Sequence, residues 1–111
     1  MKRIIYLIIP FLLLGCEKSP EQKAKEEKIA NEAKVESIVK SVLKDPESAQ
    51  FQNINGVCGE VNAKNSYGGY TGFKKFVISK KDERVLLEVS ESDVDYWPFT
   101  HAWYEYCEKN K

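Results

Sequence analysis

Residues that carry catalysis are scarce in this chain of 111 residues. Histidine occurs once, as His101, and it lies among aromatic residues, where a structural role is more common than a role as a base. The chain contains neither a Gly-x-Ser-x-Gly motif nor a glycine-rich loop that ends in Lys-Ser or Lys-Thr. Hydrolysis would require His101 in a cleft beside a carboxylate and a nucleophile. We therefore expect neither an enzyme nor a cofactor, and hydrolysis is the weakest alternative.

An excess of positive charge is missing as well. The 17 basic and 17 acidic residues balance, whereas a nucleic-acid partner requires a face rich in lysine and arginine. Removal of an N-terminal leader at 1–15 would take away Lys2 and Arg3 and no acidic residue, which leaves a slightly acidic chain. We expect no nucleic-acid partner.

No apolar run is long enough to serve as a permanent anchor across about 30 Å of hydrocarbon. The run at 4–14 follows two basic residues and is typical of a leader that is removed. Its end, Leu13-Leu14-Gly15-Cys16, resembles the bacterial lipobox. The resemblance implies cleavage before Cys16 and acylation of that cysteine, so the membrane would be a partner through the lipid. A secreted protein without lipid is the alternative.

The residue after the lipidated cysteine bears on which membrane is used. Glu17 stands there instead of the aspartate that resembles an inner-membrane retention signal in enteric-type sorting. We therefore expect a lipid anchor in the outer membrane, with the protein facing the periplasm. This inference would not apply in a Gram-positive host.

A charged segment separates the leader from the first apolar pattern. Residues 17–28 consist almost entirely of Lys, Glu, Gln, Ala and Ser and predict a solvated spacer. The chain thus divides into a leader at 1–15, a lipidated spacer at 16–28 and one small domain at 29–111.

The domain begins with an apolar stripe at helical spacing, which consists of Val35, Ile38, Val39, Val42 and Leu43. The helix should end near Lys44, because Asp45-Pro46 disfavours helical geometry. Burial of this stripe in the domain would favour a binding module. Exposure would favour an assembly lipoprotein that pairs through the helix.

Alternation of apolar and polar residues then predicts a three-stranded antiparallel meander. We place the strands at 51–63, 70–79 and 84–90, with Val85, Leu87 and Val89 facing the core. A short helix from Pro98 would complete an α+β domain of order α-β-β-β-α. One face of this helix consists of Phe99, Ala102, Trp103 and Tyr106.

Two cysteines remain after Cys16 is assigned to lipid. In an exported protein we expect a disulfide between Cys58 and Cys107, which would join the last helix to the first strand. Two free thiols, or metal ligation together with His101, are the alternatives; the spacing holds no two ligands together, so we expect no metal. Cys58 alternates out of phase with the apolar residues around it. Either a bulge at Gly59 re-aims it, or the disulfide lies on the second face of the sheet.

The segments Leu43–Phe51 and Val57–Phe73 are the most distinctive of the chain. Over roughly residues 40–80 they resemble small exported proteins from bacterial and prophage genomes. The resemblance implies a shared domain and carries over no catalytic residue. A prophage origin would suit exclusion of a second phage, or inhibition of a wall-degrading enzyme.

Three glycines, at 68, 69 and 72, lie among aromatic residues and permit a positive φ that other residues rarely adopt. One interpretation is a hairpin whose aromatic side chains fill a small core. The other is a recognition surface for an envelope protein or a wall component. Its aromatic contacts would be Tyr67, Tyr70 and Phe73, and its polar contacts Asn62, Lys64 and Asn65.

The aromatic C-terminus allows the same two interpretations. Trp97, Phe99 and Trp103 are expected to form the main core. If Trp97 or Tyr104 were exposed instead, it would mark a docking patch.

Overall fold

The computed structural model describes residues 18–109, so the predicted leader at 1–15 and Cys16 lie outside the described residues. No helix between residues 18 and 109 is long and apolar enough to cross a membrane. The elements are helix α1 (Pro20–Lys40), a 3-10 turn (Pro46–Ser48), strands β1 (Gln50–Asn55), β2 (Cys58–Asn62), β3 (Lys74–Ile78) and β4 (Val85–Leu87), helix α2 (Tyr96–Trp103) and a π-helical turn (Tyr104–Glu108).

Helix α1 begins inside the segment predicted as a spacer. Ser19 caps it, because its hydroxyl accepts the N–H of Gln22 while the Gln22 side chain accepts the N–H of Ser19. The first half of the helix is exposed on every side, and burial starts only at Val35 and Val39. The predicted spacer is therefore helical from Pro20 onward, and the domain packs on the second half of α1.

The four strands form an antiparallel sheet in the order β1-β2-β3-β4. Three strands were predicted, and this number is wrong, because the segment at 51–63 folds back on itself. Asn55 pairs with Cys58 across a tight turn, and Gly56 in that turn has a φ of 62°. The dipeptide Asn55-Gly56 is a hairpin signal that could have predicted this turn.

The other strands are also shorter than predicted. Strand β3 begins at Lys74 and not at Tyr70: Gly72, with a φ of 95°, interrupts the extended backbone, and Tyr70 forms only an isolated antiparallel bridge with Lys64. Strand β4 ends at Leu87 instead of Ser90. In the turn between β3 and β4, the Asp82 carboxylate accepts the backbone N–H of Arg84, which lowers the pKa of Asp82.

Helices cover the sheet on both faces. On one face, α1 buries Val35 and Val39 against Val61, Phe76 and Ile78. On the other face, α2 packs against side chains of the opposite parity. That second cluster consists of Cys58, Val77, Leu86, Phe99, Ala102 and Cys107. The α+β class is confirmed, in a three-layer arrangement of helix, sheet and helix.

The two-sided sheet explains two details of the sequence pattern. The second alternative for Cys58 is correct, because the cysteine lies on the α2 face while Val61 lies on the α1 face. In β4, Val85 and Leu87 pack on the α1 side as predicted, and Leu86 between them is buried on the α2 side. Neither face of a covered sheet needs polar residues.

Helix α2 begins at Tyr96, two residues before the predicted Pro98, and it is held at both ends. At the C-terminal end, Cys107 in the π-helical turn that follows α2 is bonded to Cys58, so the predicted disulfide is confirmed. Near the other end of α2, a guanidinium nitrogen of Arg84 lies 2.8 Å from Asp95 Oδ1. Arg84 directly precedes β4 and Cys58 begins β2, so both attachments lie at the same end of the sheet, which we call the hairpin end.

Candidate binding surfaces

The connection between β2 and β3, residues 63–73, lies at the opposite end of the sheet and is here called the Tyr67 loop. Asn65 organises its turn. The Asn65 side-chain oxygen accepts the backbone N–H of Tyr67 at 2.9 Å and that of Gly69 at 3.2 Å, and the backbone N–H of Asn65 donates to the Gly69 carbonyl. Gly68 adopts a φ of 82°, which favours glycine. The Asn65 side chain thus shapes the loop, and its predicted role as a contact for a partner stays a prediction.

Further bonds fasten the loop to the body of the domain. The Asn62 side-chain oxygen accepts the N–H of Gly72 at 3.1 Å. The Tyr70 hydroxyl donates to the Ser48 carbonyl, and the Ser48 hydroxyl accepts the N–H of Lys64, both at 2.9 Å. The ammonium of Lys64 lies 5.7 Å from the centre of the Tyr70 ring. Asn62 and Tyr70 thus stabilise the loop, and Lys64 contacts Tyr70.

Tyr67 is the side chain that this scaffold displays. It is 96 % exposed, whereas Tyr70 and Phe73 are partly covered. The interpretation of the segment as a hairpin whose aromatic residues fill a core is therefore wrong. Of the six predicted contact residues, the structure brings Lys64 and Tyr70 together and presents Tyr67 apart from them, at the tip of the turn.

A groove lies at the base of the Tyr67 loop. It has a volume of about 330 Å³ and runs between the loop and the end of α1. Val42, Leu43 and Leu87 give it apolar walls, and Lys64 and Lys74 stand at its rim. Val42 is 51 % exposed, although it belongs to the stripe that was predicted to dock. The loop and the groove together form one surface with an aromatic tip and an apolar base.

A second exposed aromatic surface runs along the outer side of α2. Trp97 is 73 % exposed and Tyr104 is 57 % exposed. His101 lies between them at helical spacing and is exposed as well. Phe99 is buried and Trp103 is half-buried, so the prediction of a core role holds for these two and is wrong for Trp97. The condition set for a docking patch is therefore met at both Trp97 and Tyr104.

Two of the alternatives, metal binding and hydrolysis, depend on particular side chains between residues 18 and 109. There, no group of three or more histidine, cysteine, aspartate or glutamate residues is placed to hold a metal ion. Both Cys58 and Cys107 are used in the disulfide. His101 stands on the outer side of a helix instead of in a cleft. Comparisons of the chain with protein-family models, curated proteins and solved structures found no match, so functional inference depends on these surfaces.

Proposed function

We propose that this protein is a lipid-anchored, non-enzymatic binding module of the bacterial cell envelope, which recognises an envelope protein or a wall component through the Tyr67 loop. The observation that carries the proposal is a tyrosine that is 96 % exposed on a loop with internal bracing. Aromatic residues supply much of the binding energy at protein interfaces, and a loop that is ordered beforehand loses little entropy on binding.

The course of α1 supports this role for the loop. At the hairpin end, the Asn31 side chain donates to the Gly56 carbonyl at 3.2 Å. At the other end of the sheet, Val42 and Leu43 line the groove beside the Tyr67 loop. The helix therefore crosses the sheet from the hairpin end to the loop end. Its exposed N-terminal part therefore leaves the domain at the end opposite to Tyr67.

The exposed part of α1 acts as a spacer in this proposal. Residues 20–30 are exposed throughout, and at 1.5 Å per residue they correspond to about 16 Å of helix. A lipid on Cys16 would hold the domain at the membrane, most simply the outer membrane on its periplasmic side. The loop would then point away from that membrane, where the tether raises its effective concentration toward a partner across the periplasm.

Burial of the α1 stripe favours a binding module over an assembly lipoprotein that pairs through this helix. Val35 and Val39 are buried against the sheet, and Ile38 and Leu43 pack on the same cluster. Four of the five stripe residues are thus covered by the domain, and only Val42, which follows the helix, stays half exposed, so little of this face is left for a partner helix. Phage exclusion and inhibition of a wall-degrading enzyme are two forms that such a binding module could take.

The experiment is site-specific photocrosslinking in a living Gram-negative host. A photoreactive residue is placed at Tyr67, at Tyr104 on the outer side of α2, or at Lys25 in the exposed spacer, and captured proteins and wall fragments are identified by mass spectrometry. We expect one specific partner from position 67 that positions 104 and 25 do not capture. The same set of captured molecules from all three positions, or none from position 67, would contradict the proposal.

Membrane attachment needs a separate test. The chain is fractionated with and without the substitution Cys16→Ser, and the mass of the mature N-terminus is measured. We expect acyl chains on Cys16 and loss of membrane association in the variant. An unmodified Cys16 in the membrane-free fraction would refute the lipid anchor while leaving the loop proposal open to the crosslinking result.

A further inference from the structure

A cleft of about 630 Å³ opens on the α2 side of the sheet, between the β1–β2 hairpin and the C-terminal turns. It exists because α2 packs mainly on β3 and β4 and leaves part of the sheet uncovered. Its volume lies within the range of about 300–1,000 Å³ that is typical of sites for small ligands. The residues that give it chemical character are Asn53, Glu60, Lys75, Lys80, Trp103 and Tyr106.

Two lysines stand over aromatic rings in this cleft. The Lys75 ammonium lies 5.2 Å from the centre of the Trp103 ring, and the Lys80 ammonium lies 5.5 Å from the centre of the Tyr106 ring. Within residues 18–109, neither ammonium forms an ion pair with a carboxylate. The rings therefore position two positive charges that have no anionic partner in this part of the chain.

Each acidic residue of the cleft accepts hydrogen bonds from uncharged donors at one of its carboxylate oxygens. Glu60 Oε1 accepts the side-chain amides of Gln52 at 2.7 Å and Asn53 at 3.1 Å. Glu108 Oε1 accepts the indole N–H of Trp103 at 3.2 Å. None of these donors is a lysine, so the ammonium groups of Lys75 and Lys80 remain available to an anion.

The rings of Trp103 and Tyr106 are already engaged within the protein, which makes them less suited to stacking a neutral sugar. The Trp103 ring already stacks on Phe99, with 5.9 Å between ring centres, and it carries the Lys75 ammonium. Because Trp103 and Tyr106 are three residues apart on helical turns, their side chains are neighbours. Lys75 and Lys80 can therefore meet two anionic groups of a single short ligand.

We propose that this cleft binds an acidic peptide segment, with one carboxylate at Lys75 and a second at Lys80. The amide groups of Asn31 and Asn53 donate to the Gly56 carbonyl and to Glu60, which leaves their side-chain oxygens to accept peptide N–H groups of the ligand. The site lies on the α2 face at the hairpin side and is separate from the Tyr67 loop, so it does not depend on the function proposed for that loop.

The test is a titration of the full chain, ¹⁵N-labelled and held in neutral detergent micelles, with blocked tetraglutamate. The chain has two tryptophans, so the indole resonance of Trp103 reports on the cleft and that of Trp97 is an internal control on the outer side of α2. We expect saturable movement of the Trp103 resonance alone. Lys75→Gln and Lys80→Gln should each raise the dissociation constant about three- to fivefold.

Lys74→Gln is the matched control, because this neighbouring lysine of β3 lines the groove beside the Tyr67 loop instead of the cleft. It should leave the dissociation constant unchanged, and amide resonances of the buried core that stay at their parent positions show that each variant is folded. An equal response to tetraglutamine, no saturable response, or an equal effect of Lys74→Gln would each overturn the proposal. Tighter binding of inorganic phosphate than of tetraglutamate would overturn the peptide as the ligand.

Discussion

Replacement of Gly59 by alanine tests the closest approach between side chain and backbone in the core. Gly59 pairs with Phe76 across β2 and β3, and the fully buried Phe76 ring lies over it. A Cβ at position 59 would stand 2.6 Å from Phe76 Cζ, 2.8 Å from Phe76 Cε2 and 3.2 Å from Ile54 Cγ1. The ring would have to withdraw by about 0.8 Å to restore ordinary contact.

The size of the effect follows from two opposing contributions. Overpacking of a rigid core costs about 1–3 kcal/mol. Alanine also restricts the unfolded chain relative to glycine, which returns about 0.4–1 kcal/mol. We therefore expect Gly59→Ala to lower the free energy of unfolding by about 1–2 kcal/mol, measured by urea denaturation followed by circular dichroism under non-reducing conditions.

Two further variants test whether the Phe76 ring causes the expected loss of stability. In a Phe76→Leu background the clashing ring carbons are absent, so the cost of Gly59→Ala should fall below about 0.5 kcal/mol. Gly69→Ala is the matched control, because a Cβ there meets no atom within 4 Å and the residue needs no positive φ. A Gly59→Ala protein as stable as the parent, or an equal loss in both backgrounds, would refute this account of the packing.

Three more predictions follow from the same structure. Reduction of the disulfide, which closes a sequence separation of 49, should lower the free energy of unfolding by about 4 kcal/mol, and urea titrations with and without reductant measure it; an unchanged midpoint would contradict a stabilising role. Phe99→Ala should cost about 3–5 kcal/mol because Phe99 is buried, whereas Trp97→Ala on the same helix should cost less than about 0.5 kcal/mol; similar losses in thermal unfolding would mean that Trp97 is covered. Asn65→Ala should abolish the crosslink from position 67 and speed amide exchange at Tyr67 and Gly69 while the stability of the domain changes little, and unchanged exchange would show that Asn65 does not hold the loop.

Several elements could be predicted because their signals are local. The spacing of Val35 and Val39 predicts a docked helix, and the expectation that the chain is exported predicts the disulfide between Cys58 and Cys107. The strand count failed because a long alternating segment was assigned to one strand despite Asn55-Gly56. A tight turn interrupts alternation for two residues only, so periodicity over 51–63 hides it.

The candidate sites could be predicted only in part. The glycines around Tyr67 indicate a loop, but an aromatic residue in a small domain serves equally well in the core or on the surface. The structure assigns Phe99 to the core and leaves Trp97 outside, although both belong to the same aromatic run. Lys75 and Lys80 belong to no sequence motif, so the sequence did not indicate the cleft. Their contacts are with Trp103 and Tyr106, which come from a distant part of the chain.

The sequence by itself determined the composition of each layer: a charged first helix with a short apolar stripe, β segments with two apolar parities, and an aromatic C-terminus with a cysteine. These properties depend on neighbours within a few positions, which periodicity and turn chemistry describe. Tertiary structure alone decided that α1 and α2 take opposite faces of the sheet, that the Tyr67 loop points away from the N-terminal spacer, and that two lysines meet aromatic rings in one cleft. Those outcomes depend on packing between residues far apart in the chain, where burial of one side chain leaves another exposed.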